Sequence, residues 1–104
     1  MTAEQFRRLA LALDGATEGA HQEHPDFRVD GRIFATLGYP NPSFAMVKLE
    51  PDEQKFFVGA HPEMFVPVKG GWGKSGATSV VLREARVGPV REALSIAWKA
   101  RKRG

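Results

Sequence analysis

The sequence predicts an α+β fold: a mostly antiparallel sheet of about five strands, flanked by N- and C-terminal helices. Three observations carry this. Asp30-Gly31 sits between the β-prone runs Phe27–Val29 and Arg32–Leu37, the strongest short-range hairpin signal. Apolar residues recur at helical spacing near both ends: Phe6, Leu9, Ala10 and Leu13, then Val90, Ala93, Leu94, Ala97 and Trp98. The element order reads α-β-β-β-α-β-β-α, and its hairpin connections imply antiparallel pairing. At 104 residues the chain forms one domain, 1–104, with one core.

Each element has its own signal. Thr2 and Gln5 form a capping-box pattern that opens a first helix over roughly 2–13, which Asp14-Gly15 ends. Residues 14–25, DGATEGAHQEHP, read as a polar loop. In the hairpin, Phe27 and Val29 alternate with Arg28, and Ile33 with Arg32, which predicts one buried face. GYPNPS, residues 38–43, is a loop, and residues 44–49 form a third strand with Phe44, Met46 and Lys48 on one side. Pro51 suits the first turn of a helix, where Asp52 and Glu53 favour the dipole; Phe56 and Phe57 give it an apolar side, and Gly59 ends it. Met64 to Val68 is a short extended segment whose Pro67 marks an edge strand. Residues 78–83 form another strand, and Gly88-Pro89 opens the last helix.

Composition narrows the function classes. Hydrophobic residues make up 42% and charged residues 26%, the proportions of an ordinary globular protein. No apolar run is long enough to span a bilayer, and the N-terminus lacks the features of a signal peptide, so no membrane role and a cytoplasmic location are expected. Without cysteine there is no disulfide framework and no thiolate chemistry. The formal net charge is +3 but unevenly spread. Residues 14–63 hold nine acidic and four basic side chains, whereas residues 83–104 hold seven basic and two acidic. The basic end includes Arg101, Lys102 and Arg103, a cluster that attracts nucleic acid or simply complements a helix C-terminus.

The stretch VKGGWGKSG, residues 68–76, contains the string that ends a phosphate-binding P-loop. The motif needs a glycine five residues before Gly73, where Val68 stands, and a helix after Ser75, where a β-prone run stands. The stretch reads instead as a flexible hairpin tip from Pro67 to Thr78, with Lys69, Lys74 and Ser75 available to phosphates. Trp72 either stacks on a base or sugar or folds back over the edge of the core. His21 and His24, with Glu23 and Asp26 nearby, are too few for a metal site unless His61 joins them. No nucleophile–base motif is present, so no enzyme activity and no cofactor are expected.

The segments HPDFRVDGRIFATL (24–37), VKLEPDEQ (47–54), GGWGKSGATSVVL (70–82) and REALSIAWKARK (91–102) together resemble the MmcQ/YjbR family over essentially the whole chain. The resemblance implies a YjbR/CyaY-like arrangement, with helices packed on one face of an antiparallel sheet. It also implies a double-wing DNA-binding protein, with Arg28 and Arg32 on the first hairpin, Lys48 on the third strand, and Trp72 and Lys74 on the second wing at the matching positions. It transfers no catalytic set. Frataxin-like iron binding would need an acidic run on the first helix, where Glu4 stands with Arg7 and Arg8.

The sequence therefore sets two expectations. One is DNA binding through Arg28, Arg32, Lys48, Lys69, Trp72, Lys74, Arg101, Lys102 and Arg103, mostly electrostatic. The other is a binding module for a small anionic ligand or an acidic protein partner on the sheet face, where Arg28, Arg32 and Lys48 lie beside His24 and Trp72.

Overall fold

The computed structural model describes residues 1–103. Its elements are helix α1 (Ala3–Leu11), strands β1 (Thr17–His21), β2 (His24–Val29), β3 (Arg32–Leu37) and β4 (Phe44–Lys48), helix α2 (Pro51–Ala60), strand β5 (Phe65–Pro67), a short helical turn α3 (Gly71–Lys74), strand β6 (Ala77–Val81), a 3-10 turn (Leu82–Glu84) and helix α4 (Val87–Arg101). The sheet has six strands in the order β1-β2-β3-β4-β6-β5, every pair antiparallel. Pro67, which has no N–H to give a ladder, is on the edge strand β5.

The sixth strand is β1, within the stretch read from sequence as a loop. TEGAH has little β propensity, and the turn joining it to β2 has no glycine. Instead Gln22 and Glu23 both take positive φ, 49° and 67°, the backbone of a two-residue hairpin turn. The edge strand is tied to α1 by Arg7, whose Nε donates to Glu18 at 2.9 Å. The hairpin at Asp30-Gly31 forms as expected, with φ of 52° and 78°.

Helix α1 begins with the anticipated capping box: Gln5 N–H donates to Thr2 Oγ1 at 3.1 Å, and Thr2 N–H donates to Gln5 Oε1 at 2.8 Å. Phe6 and Ala10 of α1 and Val90, Ala93, Leu94 and Ala97 of α4 are buried against Phe27, Val29, Ala35, Leu37, Ala45 and Val47 of the sheet. Helix α2 adds Phe57, which packs on Phe65 with ring centroids 5.2 Å apart. Phe56, its neighbour, points outward and is 63% exposed, so only one of the two contributes to the core.

A β-bulge alters the first hairpin. The register of β2 against β3 shifts between Phe27 and Arg28, so Phe27 pairs with Ala35 while Arg28 pairs with Ile33. The extra residue is Phe34, which joins Ala35 in the core although the two are consecutive. Beyond the bulge, Val29 pairs with Arg32. Paired residues share a face, so Arg28 and Ile33 lie on the outer face and Arg32 on the helix face. The expectation that Arg28 and Arg32 mark one face is corrected by the two-residue turn, which pairs Arg32 with buried Val29 and Arg28 with Ile33.

The outer face, away from the helices, carries one register row across all six strands: Gly19, Asp26, Thr36, Met46, Ser79 and Val66. Met46 forms a second small apolar cluster there with Val68 and Ala77.

Candidate binding cleft on the outer sheet face

The glycine-rich segment builds one wall of the site: Pro67 pairs with Thr78, so it is the expected hairpin connection, but it is packed down and does not project. It leaves β5 and forms the turn α3 before β6 begins. Two glycines make this possible through backbone contact. A Cβ on Gly73 would overlap the carbonyl of Val68, and one on Gly76 would overlap the carbonyl of Leu49. Gly76 also has φ of 110°, where side chains are strained. Gln54 of α2 clamps the segment from behind, its Nε2 donating to the carbonyls of Gly73 and Ala77, both at 2.9 Å. Ser75 Oγ closes the turn on Gly71 O at 3.1 Å. The flexible wing expected from four glycines is therefore a packed element, because those glycines permit contact as well as freedom.

Trp72 stands on this turn and is 48% exposed. It does not fold back into the core. Its ring meets the edge of Tyr39 at 6.1 Å, and Tyr39 meets His24 at 6.1 Å, both nearly perpendicular. Tyr39 comes from the loop between β3 and β4, which is closed by Gly38 N–H donating to Phe44 O at 2.9 Å and Ser43 N–H donating to Asn41 Oδ1 at 2.9 Å. Tyr39 itself is 40% exposed.

Between these aromatic residues and β1–β2 lies a cleft of about 390 Å³, lined by His21, Gln22, His24, Thr36, Tyr39, Val68, Lys69 and Trp72. A second, more apolar cleft of about 250 Å³ lies on the other side of Tyr39, with Phe44, Val66 and Pro67 in its wall. Tyr39, Val68 and Lys69 border both.

The cleft has an ionic scaffold beside it. Asp26 is fully buried, and Arg28 grips it with two hydrogen bonds, Nε to Oδ1 at 2.8 Å and Nη2 to Oδ2 at 3.0 Å. His21 Nδ1 lies 2.9 Å from Asp26 Oδ2. Arg28 first, then His21, holds the Asp26 carboxyl below the usual carboxylate range against the opposing effect of burial; in turn Asp26 raises the Arg28 guanidinium. A carboxylate only accepts, so the His21 proton sits on Nδ1 and Nε2 is the free ring nitrogen. Gly19, opposite Asp26 in the register, leaves room for the pair: a Cβ there would stand 3.0 Å from Asp26 Oδ1 and 3.3 Å from Arg28 Nε. Thr36 pairs with Asp26 and forms part of the cleft lining. Its buried hydroxyl makes no hydrogen bond among the described residues.

The sequence-chosen residues fall into separate groups. Lys69 and Trp72 border the cleft, and Lys74 is exposed at the end of the same turn. Lys48 is half-buried on the outer face opposite Ala77. Arg28 is on that face but engaged by Asp26. Arg32 lies on the helix face. Arg101, Lys102 and Arg103 are also on the helix side. Lys102 Nζ sits 4.7 Å over the Trp98 ring and 3.9 Å from Asp14, and Arg103 N–H donates to Asp30 Oδ2 at 2.6 Å. Trp98 in turn packs against the main core and donates from Nε1 to Asp14 O at 2.7 Å. The basic end of α4 and the Trp72 turn thus occupy different sides of the sheet. His61 does not join the other histidines; it contacts Arg86 and Phe65. Among the described residues no cluster of three His, Asp or Glu could hold a metal ion, and no helix is long and apolar enough to cross a membrane.

Tyr39, Thr36 and Gln54 were not singled out by sequence. Tyr39 had a usable signal, as the only tyrosine in a proline-rich loop, whereas Thr36 and Gln54 matter only through register and folding back.

A six-stranded antiparallel sheet with helices on one face and an aromatic, basic cleft on the other defines an α+β domain with a candidate site on its outer face. A family model described as YjbR matches residues 11–100, and the chain belongs to that family. The fold is similar to that in the crystal structure of Deinococcus radiodurans protein DR2400, whose domain is described as DUF419. The TM-score is 0.71 at 19% identity, over 93% of this chain and 75% of that one. No curated protein matches.

Proposed function

We propose that this YjbR domain binds DNA through the outer face of its sheet, and that it acts as a binding domain without catalysis. The observation that carries the reading is the exposed Trp72–Tyr39 pair beside Lys69, with Lys74 on the same turn. Lysines attract phosphates regardless of sequence, and aromatic faces stack on bases that are not paired. The substrate is therefore a single-stranded or locally opened segment rather than intact duplex. The cations on the helix side take no part, since a strand lying on the outer face does not reach them.

The test is a fluorescence-anisotropy titration at low salt with labelled single-stranded and duplex DNA of random sequence. Single-stranded DNA is expected to bind more tightly, with affinity falling steeply as salt rises. Absence of binding at micromolar protein, or binding unchanged by Lys69→Ala with Lys74→Ala, would sink the reading.

A further inference from the structure

We infer that the cleft between Trp72 and the β1–β2 hairpin is a pocket for a single nucleobase carried on its phosphorylated sugar. This rests on the DNA-binding reading but reaches beyond it, because a stacking surface alone needs no pocket. The cleft, about 390 Å³, lies within the range of small-ligand sites, roughly 300–1,000 Å³. Four rings line it: His24, Tyr39 and Trp72 meet edge to face in a row, and His21 is the fourth. Lys69 at the border supplies one cation for a phosphate.

Two polar groups suit the edge of a base. His21, fixed through Nδ1 by Asp26, retains Nε2 as an acceptor in the neutral ring. Thr36 carries a buried hydroxyl with no partner among the described residues, and such groups call for an explanation. Valine has the same shape and would avoid the loss of a buried, unpaired hydroxyl. A hydroxyl both donates and accepts, which matches the adjacent donors and acceptors of a base edge.

The ligand has two sources, a free mononucleotide or one residue of a strand, and the test separates them. Quenching of tryptophan fluorescence is followed with each of the four deoxynucleoside 5′-monophosphates, using Trp72→Phe as the control that retains Trp98. In parallel, a single-stranded oligonucleotide and the same strand with abasic positions are titrated by anisotropy. Expected are saturable quenching by at least one mononucleotide, weakening of about fivefold to tenfold in Thr36→Val, and weaker binding of the abasic strand. Thr36→Val should melt at the same temperature as the parent or higher, which a merely structural threonine would not do. Lys69→Ala, an exposed change, gives an independent loss of mononucleotide affinity should Thr36→Val fold poorly.

If the intact strand binds but no mononucleotide does, and Thr36→Val and abasic strands bind like the parent, the pocket is refuted and DNA binding stands. If mononucleotides bind in a Thr36-dependent way and strands do not, the pocket stands as a nucleotide site and DNA binding falls. If neither binds, both fall.

Discussion

Arg28 and Asp26, two residues apart on β2, form a two-pronged ion pair in which the carboxylate is fully buried and the guanidinium is partly open to solvent. Because Arg28 depresses the Asp26 carboxyl, its stabilisation is fully present above the unfolded-state value of about 3.9. It is lost as the pH falls through the depressed folded value. Asp26→Asn is therefore expected to lower stability at neutral pH by about 2 kcal/mol. Its loss of stability below about pH 4 should be shallower than the parent's. Urea unfolding between pH 2 and 7 checks both.

The glycine segment should show sharply unequal tolerance. Gly73→Ala places a methyl group against the Val68 carbonyl and is expected to destabilise by about 3 kcal/mol. Gly71→Ala meets nothing within 4 Å and should change stability by less than about 0.5 kcal/mol. Denaturant midpoints of the two variants measure the contrast.

The positive φ of Glu23 in the β1–β2 turn yields a stabilising variant. Glu23→Gly relieves that conformation and should raise stability by about 0.5–1 kcal/mol, read as an increase in Tm. Were the turn not of this form, glycine there would lower Tm by loosening the unfolded chain.

Division of the basic residues between two sides gives a test by salt dependence. Lys69→Ala with Lys74→Ala should flatten the slope of log affinity against log salt by about 1–2. Lys102→Gln with Arg103→Gln should leave slope and affinity within about twofold, because Lys102 is over Trp98 and Arg103 is beside Asp30. Equal effects from the two pairs would contradict an outer-face site.

Local signals made most of the fold legible: the Thr2 cap, the Asp30-Gly31 turn, the Pro51 helix start and the apolar stripe of α4 all act within a few residues. Strand β1 was illegible because its turn uses Gln22 and Glu23 where a glycine would announce it. The split of Arg28 from Arg32 follows from the two-residue turn, which pairs Val29 with Arg32; the Phe34 bulge then returns Ala35 and Leu37 to the core face, so alternation along the strand misleads. For the site, Lys69 and Trp72 were found through the loop that bears them. Thr36 read as an ordinary strand residue, since its unpartnered hydroxyl is a property of what surrounds it.

The Gln54 clamp bears on how fast the proposed DNA ligand would engage. With its amide bridging Gly73 and Ala77, the turn that presents Trp72 is assembled before any encounter. Association then needs no prior rearrangement of this wall. Its rate should be set by diffusion and electrostatic steering, and differences among partners should emerge in how slowly they leave.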